Sequence, residues 1–268
     1  MTEPVARICL TFDVDGAAPW RLNPDGSPRG HLTQESWGRF GIRRGLPRIL
    51  GLLAELDVPG TFFVPGRTVQ THPDEIGAIA AAGHEIGHHG HDHHLPRDID
   101  VDLQRFELDA ALDAMQTHLG LRPAGYRAPG WDVTPETFAM VVQHGFRYDS
   151  SFMGDDRPYV ERHGEHEILE LPVDWQLDDF MHFAAFYGFS GSLRDATEVF
   201  ASWQVEIESA IAEERSLVLT CHPEVVGRAG VFGPYAAMVR RLNDDPRIAF
   251  TRCVDLAESV AGALIAPR

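Results

Sequence analysis

Arg7-Ile8-Cys9-Leu10-Thr11-Phe12-Asp13-Val14-Asp15-Gly16 is an apolar run that stops abruptly in acid. Six residues, Arg7–Phe12, have the length and composition of a buried strand, and the two carboxylates fall at its C-terminal end. Residues i and i+2 of an extended chain share a face, so Asp13 and Asp15 project together. The same arrangement recurs downstream. Short apolar segments at Gly60–Val64, His84–Gly87, Gly125–Arg127, Phe146–Asp149, Ile168–Val173, Ser216–Cys221 and Arg247–Thr251 read as strands. Helical periodicity or capping marks Arg43–Leu56, Pro73–Ala82, Val101–Leu119, Pro135–His144 behind a Thr134 cap, Leu193–Glu214, Pro234–Asp244 and Leu256–Ile265. Strand–helix alternation repeated about seven times predicts an α/β fold with a parallel sheet. Residues 17–40 read as a long loop, 150–167 as a polar excursion, and 174–192 as an aromatic stretch without a clear period. No linker or repeat interrupts the pattern, so 1–268 is expected to form a single domain.

Polar residues gather just after the predicted strands: Asp13 and Asp15, His88–His94, Arg127, Asp149 and His222. In a closed α/β barrel those strand ends share one mouth, where the chemistry sits. An open doubly wound sheet is the competing topology.

The 268 residues carry a formal net charge of −17. That argues against nucleic acid, whose phosphates call for clustered cations, and against an anionic membrane surface. It is compatible with solubility and with bound divalent cations. Cys9, Cys221 and Cys253 are far apart and odd in number, so neither a disulfide framework nor a thiolate zinc site is expected. With no export-signal pattern in Met1–Gly16 and no apolar run of about 18 residues, a cytoplasmic protein is expected.

Six of the fourteen histidines fall within His84–His94, in Gly-His-Glu-Ile-Gly-His-His-Gly-His-Asp-His-His. Neutral imidazole is a ligand for zinc and related metals. Two histidines four apart can face one ion on a helical turn, and two pairs have that spacing: His84/His88 and His89/His93. Spacing does not choose between them. Of the acidic pair, one carboxylate could bind the cation while the other takes a proton from water, the division of labour a hydrolase needs. Arg127, in Arg-Ala-Pro-Gly-Trp (127–131), could hold a catalytic carboxylate through a bidentate contact. His222, after Leu217–Cys221, could protonate a leaving amine. Pro129, Trp131 and Glu224 are the candidate substrate contacts. A non-catalytic metal-binding protein would need the histidines but neither the acid pair, Arg127 nor His222.

Thr-Phe-Asp-Val-Asp-Gly (11–16), Glu-Ile-Gly-His-His-Gly-His-Asp-His (85–93), Arg-Ala-Pro-Gly-Trp (127–131) and Leu-Thr-Cys-His (219–222) resemble, in order and spacing, the successive motifs of the polysaccharide deacetylases, carbohydrate esterase family four. The resemblance spans about Arg7 to Phe250. It implies a distorted (β/α)7 barrel and a metal-dependent hydrolase of non-peptide C–N bonds. It also implies a division of roles: Asp13 as base, Asp15, His89 and His93 as ligands of one divalent metal, Arg127 orienting the base, and His222 as general acid. Zinc comes first for the metal, with Co2+, Ni2+ or Mn2+ as alternatives. An aspartate supporting His222 is also implied; among Asp174, Asp178 and Asp179, Asp178 is taken. Val14 separates two aspartates that are usually adjacent. With the continuation His222–Arg228, this likens the chain to a cytoplasmic branch holding peptidoglycan deacetylase-like proteins, cyclic imide hydrolases and allantoinase-like ureide hydrolases, some of them thought to act without metal. The expected substrate is therefore a glycan amide or a small cyclic amide. A homo-oligomer is expected, with no nucleic-acid or membrane partner.

Overall fold

The structure, a computed structural model, describes residues 4–184 and 193–264. Strand β1 (Ala6–Asp13) is buried along its whole length except at Arg7, as befits a strand covered on both faces. It pairs in parallel with β2 (Thr61–Val64) and β8 (Leu217–Cys221), and its first residues pair with β9 (Ile248–Phe250). From β2 the sheet continues in parallel through β3 (Glu85–His88), β4 (Gly125–Tyr126), β5 (Tyr148–Asp149) and β7 (His166–Glu170). The exception is β6 (Tyr159–His163), which pairs antiparallel with β7.

Beyond β8, Asp178 makes a single parallel bridge to Thr220. The sheet must curl. Flat, β1 and β4 would lie three strands, roughly 14 Å, apart, yet Arg127 at the end of β4 reaches Asp13 of β1 at 2.8 Å. The expected distorted α/β barrel is found, and the open doubly wound sheet is not.

Alternation along the strands sorts two cores. Ile8, Leu10, Phe12 and Val14 face the outer helices with Leu217, Leu219 and Cys221, whereas Cys9 faces an inner cluster with Phe63, Tyr148, Leu169 and Val218. Thr11 and Asp13 share the inner parity of Cys9. At the far end Glu85 closes the interior. It accepts hydrogen bonds from the hydroxyls of Tyr148 and Thr61 at 2.8 Å each and from the Val254 N–H at 2.9 Å.

The outer layer holds α3 (Leu46–Leu56), α5 (Pro73–Ala81), α6 (Val101–Leu119), α7 (Pro135–Gln143), α9 (Ala196–Ala212), α10 (Ala229–Asn243) and α11 (Cys253–Leu264), with the short α4 (Gly66–Thr71) after β2. Asp100 caps α6 and Thr134 caps α7, each satisfying a free N–H of the first turn. Helix α10 begins five residues before Pro234, where the sequence placed its start; burying Tyr235, Ala236, Met238 and Val239 outweighs the proline's missing donor. No helix among the described residues is long and apolar enough to cross a membrane.

Three segments depart from expectation. The predicted loop 17–40 contains α1 (Ala18–Arg21) and α2 (Leu32–Phe40), and α2 runs through a π-helical segment, Gly41–Gly45, into α3. The 150–167 excursion contains the β6–β7 hairpin, turning at Gly164 (φ +61°). Within 174–192, α8 (Asp179–Phe183) forms, and 185–192 lies outside the described residues.

The α2–π–α3 strap lies on the barrel mouth because its glycines permit backbone contact. A Cβ on Gly38 would fall 1.8 Å from the Gly16 carbonyl oxygen, and one on Gly45 1.9 Å from the Pro223 oxygen. Gly38→Ala is therefore expected to destabilise the fold by about 1–3 kcal/mol, the usual cost of overpacking, read as a lowered urea midpoint.

Asp149 and Glu170, register partners on β5 and β7, are both buried. Burial pushes both carboxyls up; Asp149 raises Glu170 further, whereas the hydrogen bond with Glu170 lowers Asp149 in part. Such groups bind more protons folded than unfolded, so their contribution is full below the ordinary carboxyl range and is lost as pH rises through the raised folded values. Urea midpoints are expected to fall from pH 5 to pH 8, and Glu170→Gln should flatten that slope.

Candidate active site

Asp13 lies 2% exposed inside the mouth. Its Oδ1 accepts from Arg127 Nη1 at 2.8 Å. Arg127, fully buried, also donates from Nη1 to Thr11 Oγ1, from Nε to the Ser150 carbonyl and from Nη2 to Ser150 Oγ, and it stacks 4.1 Å over Phe63. The contact with Asp13 thus runs through one nitrogen rather than the expected bidentate fork, because the other donors are committed to Ser150. Glu170 anchors that loop by accepting the N–H groups of Ser151 and Phe152. Burial pushes the Asp13 carboxyl up; Arg127, His89 and His222 together outweigh it and hold the group below the usual carboxylate range.

The histidine segment is a loop rather than a helical turn. It bends at Gly90 (φ +68°) and at His93 itself (φ +60°). A non-glycine residue there costs on the order of 1–3 kcal/mol and persists only where its surroundings hold it. Glu107 of α6 supplies that hold: Oε2 accepts the N–H groups of His91 and Asp92, and Oε1 lies 2.9 Å from His94 Nδ1. Arg67 grips Asp92 through two hydrogen bonds.

The loop brings His89 and His93 to Asp15. His89 Nε2 lies 3.5 Å from Asp15 Oδ1, and His93 Nε2 3.4 Å from Asp15 Oδ2. His84 and His88 go elsewhere: His88 Nε2 meets the Leu108 carbonyl, and His84 packs on Phe62. Strand parity from Glu85, an inward residue, would have found this, since His89 shares its face and His84 and His88 do not.

The trio fits a divalent cation. One ligand atom from each of Asp15, His89 and His93 lies within 4.8 Å of the others. Asp15 Oδ1 is buried without a hydrogen-bond partner. His89 Nδ1 donates to the Arg127 carbonyl at 2.8 Å, which leaves Nε2 as a lone-pair donor. Burial keeps both imidazoles neutral, pushing His93 down to about 4. A neutral-histidine and carboxylate set suits zinc and its neighbours.

Across the mouth, His222 Nδ1 lies 2.8 Å from Asp179 Oδ1, and Asp179 also accepts the N–H groups of His222 and Val226. Burial opposes the imidazolium, but Asp179, Asp178 and Asp13 outweigh it and push the His222 pKa well up. Asp179 is thus the aspartate hydrogen-bonded to His222, while Asp178, the one taken from the sequence, faces the same ring at ion-pair distance. Asp178 stands 3.5 Å from His222 Nδ1 and caps α8 through the Phe180 N–H, while Asp174 accepts the Gln176 N–H. His222 Nε2 points toward Asp13 Oδ2 at 4.0 Å.

These groups face a cavity of about 500 Å³, whose wall includes Trp20, Trp37, Trp131 and Trp175. Trp131, itself at φ +54°, packs 4.4 Å from Trp175. Trp20 and Trp37 come from the 17–40 segment and Trp175 from the aromatic stretch 174–192; which tryptophans face inward was not legible from composition. Glu224 also lines the cavity, with Oε2 buried and unpartnered, its carboxyl pushed well up by burial and by Asp15. Pro129 does not line it. It packs toward Gly90 and His88, because the turn at Gly130 (φ +61°) sends only Gly130, Trp131 and Asp132 to the cavity. Asp179 is one of the three candidate aspartates among which the sequence reading takes Asp178, whereas Glu107 and Arg67 were not singled out; for Glu107, a charge on the buried face of an amphipathic helix was the available signal.

Three comparisons bear on this geometry. The family model for polysaccharide deacetylase matches residues 3–148. The peptidoglycan deacetylase of Helicobacter pylori is 26% identical over 281 aligned residues, covering 94% of each chain. A crystal structure from Mycobacterium smegmatis, assigned to the polysaccharide deacetylases, superposes with a TM-score of 0.91 at 34% identity, covering 100% of this chain and 94% of that one. The Puue allantoinase shares the fold, with a TM-score of 0.84 at 23% identity over 97% of this chain and 91% of its own. The chain belongs to the polysaccharide deacetylase family.

Proposed function

We propose that this protein hydrolyses an N-acyl C–N bond of a non-peptide substrate, an N-acetylated saccharide first, using one divalent cation held by Asp15, His89 and His93. The reading rests on one arrangement. That trio lies beside a carboxylate held by Arg127 and an imidazolium held by Asp179, and trio, carboxylate and imidazolium face one cavity. Zinc is the proposed ion, with Co2+, Ni2+ and Mn2+ as alternatives. Three free, buried cysteines fit a reducing compartment, and we place the enzyme in the cytoplasm.

When bound, the cation supplies Lewis-acid polarisation of the scissile carbonyl. Asp13, anionic beside Arg127, takes the proton of the attacking water through Oδ2, the oxygen Arg127 does not engage. His222, protonated and oriented by Asp179, gives its Nε2 proton to the departing nitrogen. The 4.0 Å between Asp13 Oδ2 and His222 Nε2 sets base and acid on one reacting centre. Glu224 and Trp131 contact the substrate.

A cavity of about 500 Å³ is the size of a small-molecule pocket. That volume favours a short saccharide over a polymer, and it supports a second reading, ring opening of a cyclic imide or ureide. Assays on N-acetylglucosamine oligomers beside hydantoin and succinimide rings separate the two: turnover of rings alone would move the assignment to the second.

His89→Ala should abolish stoichiometric metal by elemental analysis and reduce hydrolysis to background; full metal and full rate would refute the ligand set. Asp13→Asn should retain metal and lower kcat about 10²–10⁴-fold, the range for a positioned acid or base. Unchanged kcat would remove Asp13 as the base.

A further inference from the structure

A second cavity of about 500 Å³ lies on the strap, lined by Arg39, Arg43, Arg44 and Arg228 with the hydroxyls of Thr33 and Ser36. Among the described residues no acidic side chain lines it, although the chain as a whole carries a net charge of −17. Arg39 has a half-exposed ion pair with Glu35 at 3.6 Å. The side chains of Arg43 and Arg44 make no hydrogen bond or ion pair among the described residues.

Arg228 is held in place without a counter-charge at ion-pair distance: its Nε donates to the Glu224 carbonyl at 3.1 Å and its guanidinium stacks 3.8 Å over Phe40. Burial pushes its pKa down. Guanidinium groups gathered around one space repel one another, and that repulsion is relieved when an anion accepts from several of them. The π-helical turn at Gly41–Gly45 carries Arg43 and Arg44 to this wall, and π turns recur at functional sites.

The cavity is separate from the one that holds Asp15 and His222, yet adjacent to it. Trp37 lines both. Arg228 holds the main chain of Glu224, and Gly41 covers the Glu224 carboxyl, to which a Cβ would come within 2.7 Å.

We propose that this cavity binds a phosphoryl group, its oxygens bridging Arg43, Arg44 and Arg228. The group belongs either to a separate phosphorylated small molecule or to a phosphorylated extension of the substrate reaching past Trp37. The site does not depend on which amide the neighbouring centre cleaves.

Pyrophosphate is titrated into the metal-loaded protein at constant ionic strength, to hold screening fixed, and followed by calorimetry and thermal unfolding. Saturable binding and a raised Tm are expected. Arg43 and Arg44 are exposed and unpartnered, so Arg43→Ser/Arg44→Ser should fold and bind at least about tenfold more weakly, as loss of charge-assisted hydrogen bonds implies. If pyrophosphate raises KM competitively, the phosphoryl group is part of the substrate; if it binds without competing, the ligand is separate. No saturable binding, or equal binding by the double variant (which would place the anion at the metal centre), overturns the proposal.

Discussion

A guanidinium with no exposed surface holds this site together. Burying a cation is costly unless its donors are all met and its charge is balanced, and Arg127 meets that condition only by collecting partners from separate strands. Asp13 and Thr11 come from β1, Ser150 from the end of β5, and the Phe63 ring from β2. A flat sheet could not deliver them. The curl of the barrel and the charge of Asp13 are thus two consequences of one requirement. The Arg127 main-chain carbonyl adds a third by setting the tautomer of His89.

The two aspartates of Asp-Val-Asp share a strand end and differ in what surrounds them. Asp13 has a permanent cation at 2.8 Å and is held anionic. Asp15 has two neutral imidazoles and an oxygen without a donor, so burial pushes its carboxyl up. The first environment suits a group that must receive a proton; the second would be completed by the proposed metal ion. His222 is the counterpart, an imidazole made cationic by Asp179 and Asp178. The proposed base, cation site and acid are thereby separated by environment within one cavity.

Much of this was legible in the chain. Asp13, Asp15, Arg127 and His222 follow strands that periodicity locates, and barrel geometry sends those ends to one place. Strand parity also separates His89 from His84 and His88. Less legible were the elements whose reasons lie across space. Helix α2 has a small local signal and forms because Gly38, Gly41 and Gly45 let it rest on the Gly16 and Pro223–Glu224 backbones. The β6–β7 hairpin hides in a polar stretch because its outer strand is only partly buried. Asp179 rather than Asp178 hydrogen-bonds to His222 because residue 178 bridges to Thr220, leaving its neighbour to meet the ring.

By itself the sequence determined on which strand ends the candidate residues stand, because side-chain alternation and strand–helix order are local properties. Tertiary structure alone decided which of them meet. The left-handed turn at His93 is held by a glutamate on a helix, the partner of His222 is chosen by a strand bridge, and Arg228 is brought beside Arg39, Arg43 and Arg44 of the strap around one cavity. Each is a contact between segments distant in the chain, set by which surfaces can approach without clash once the sheet has curled.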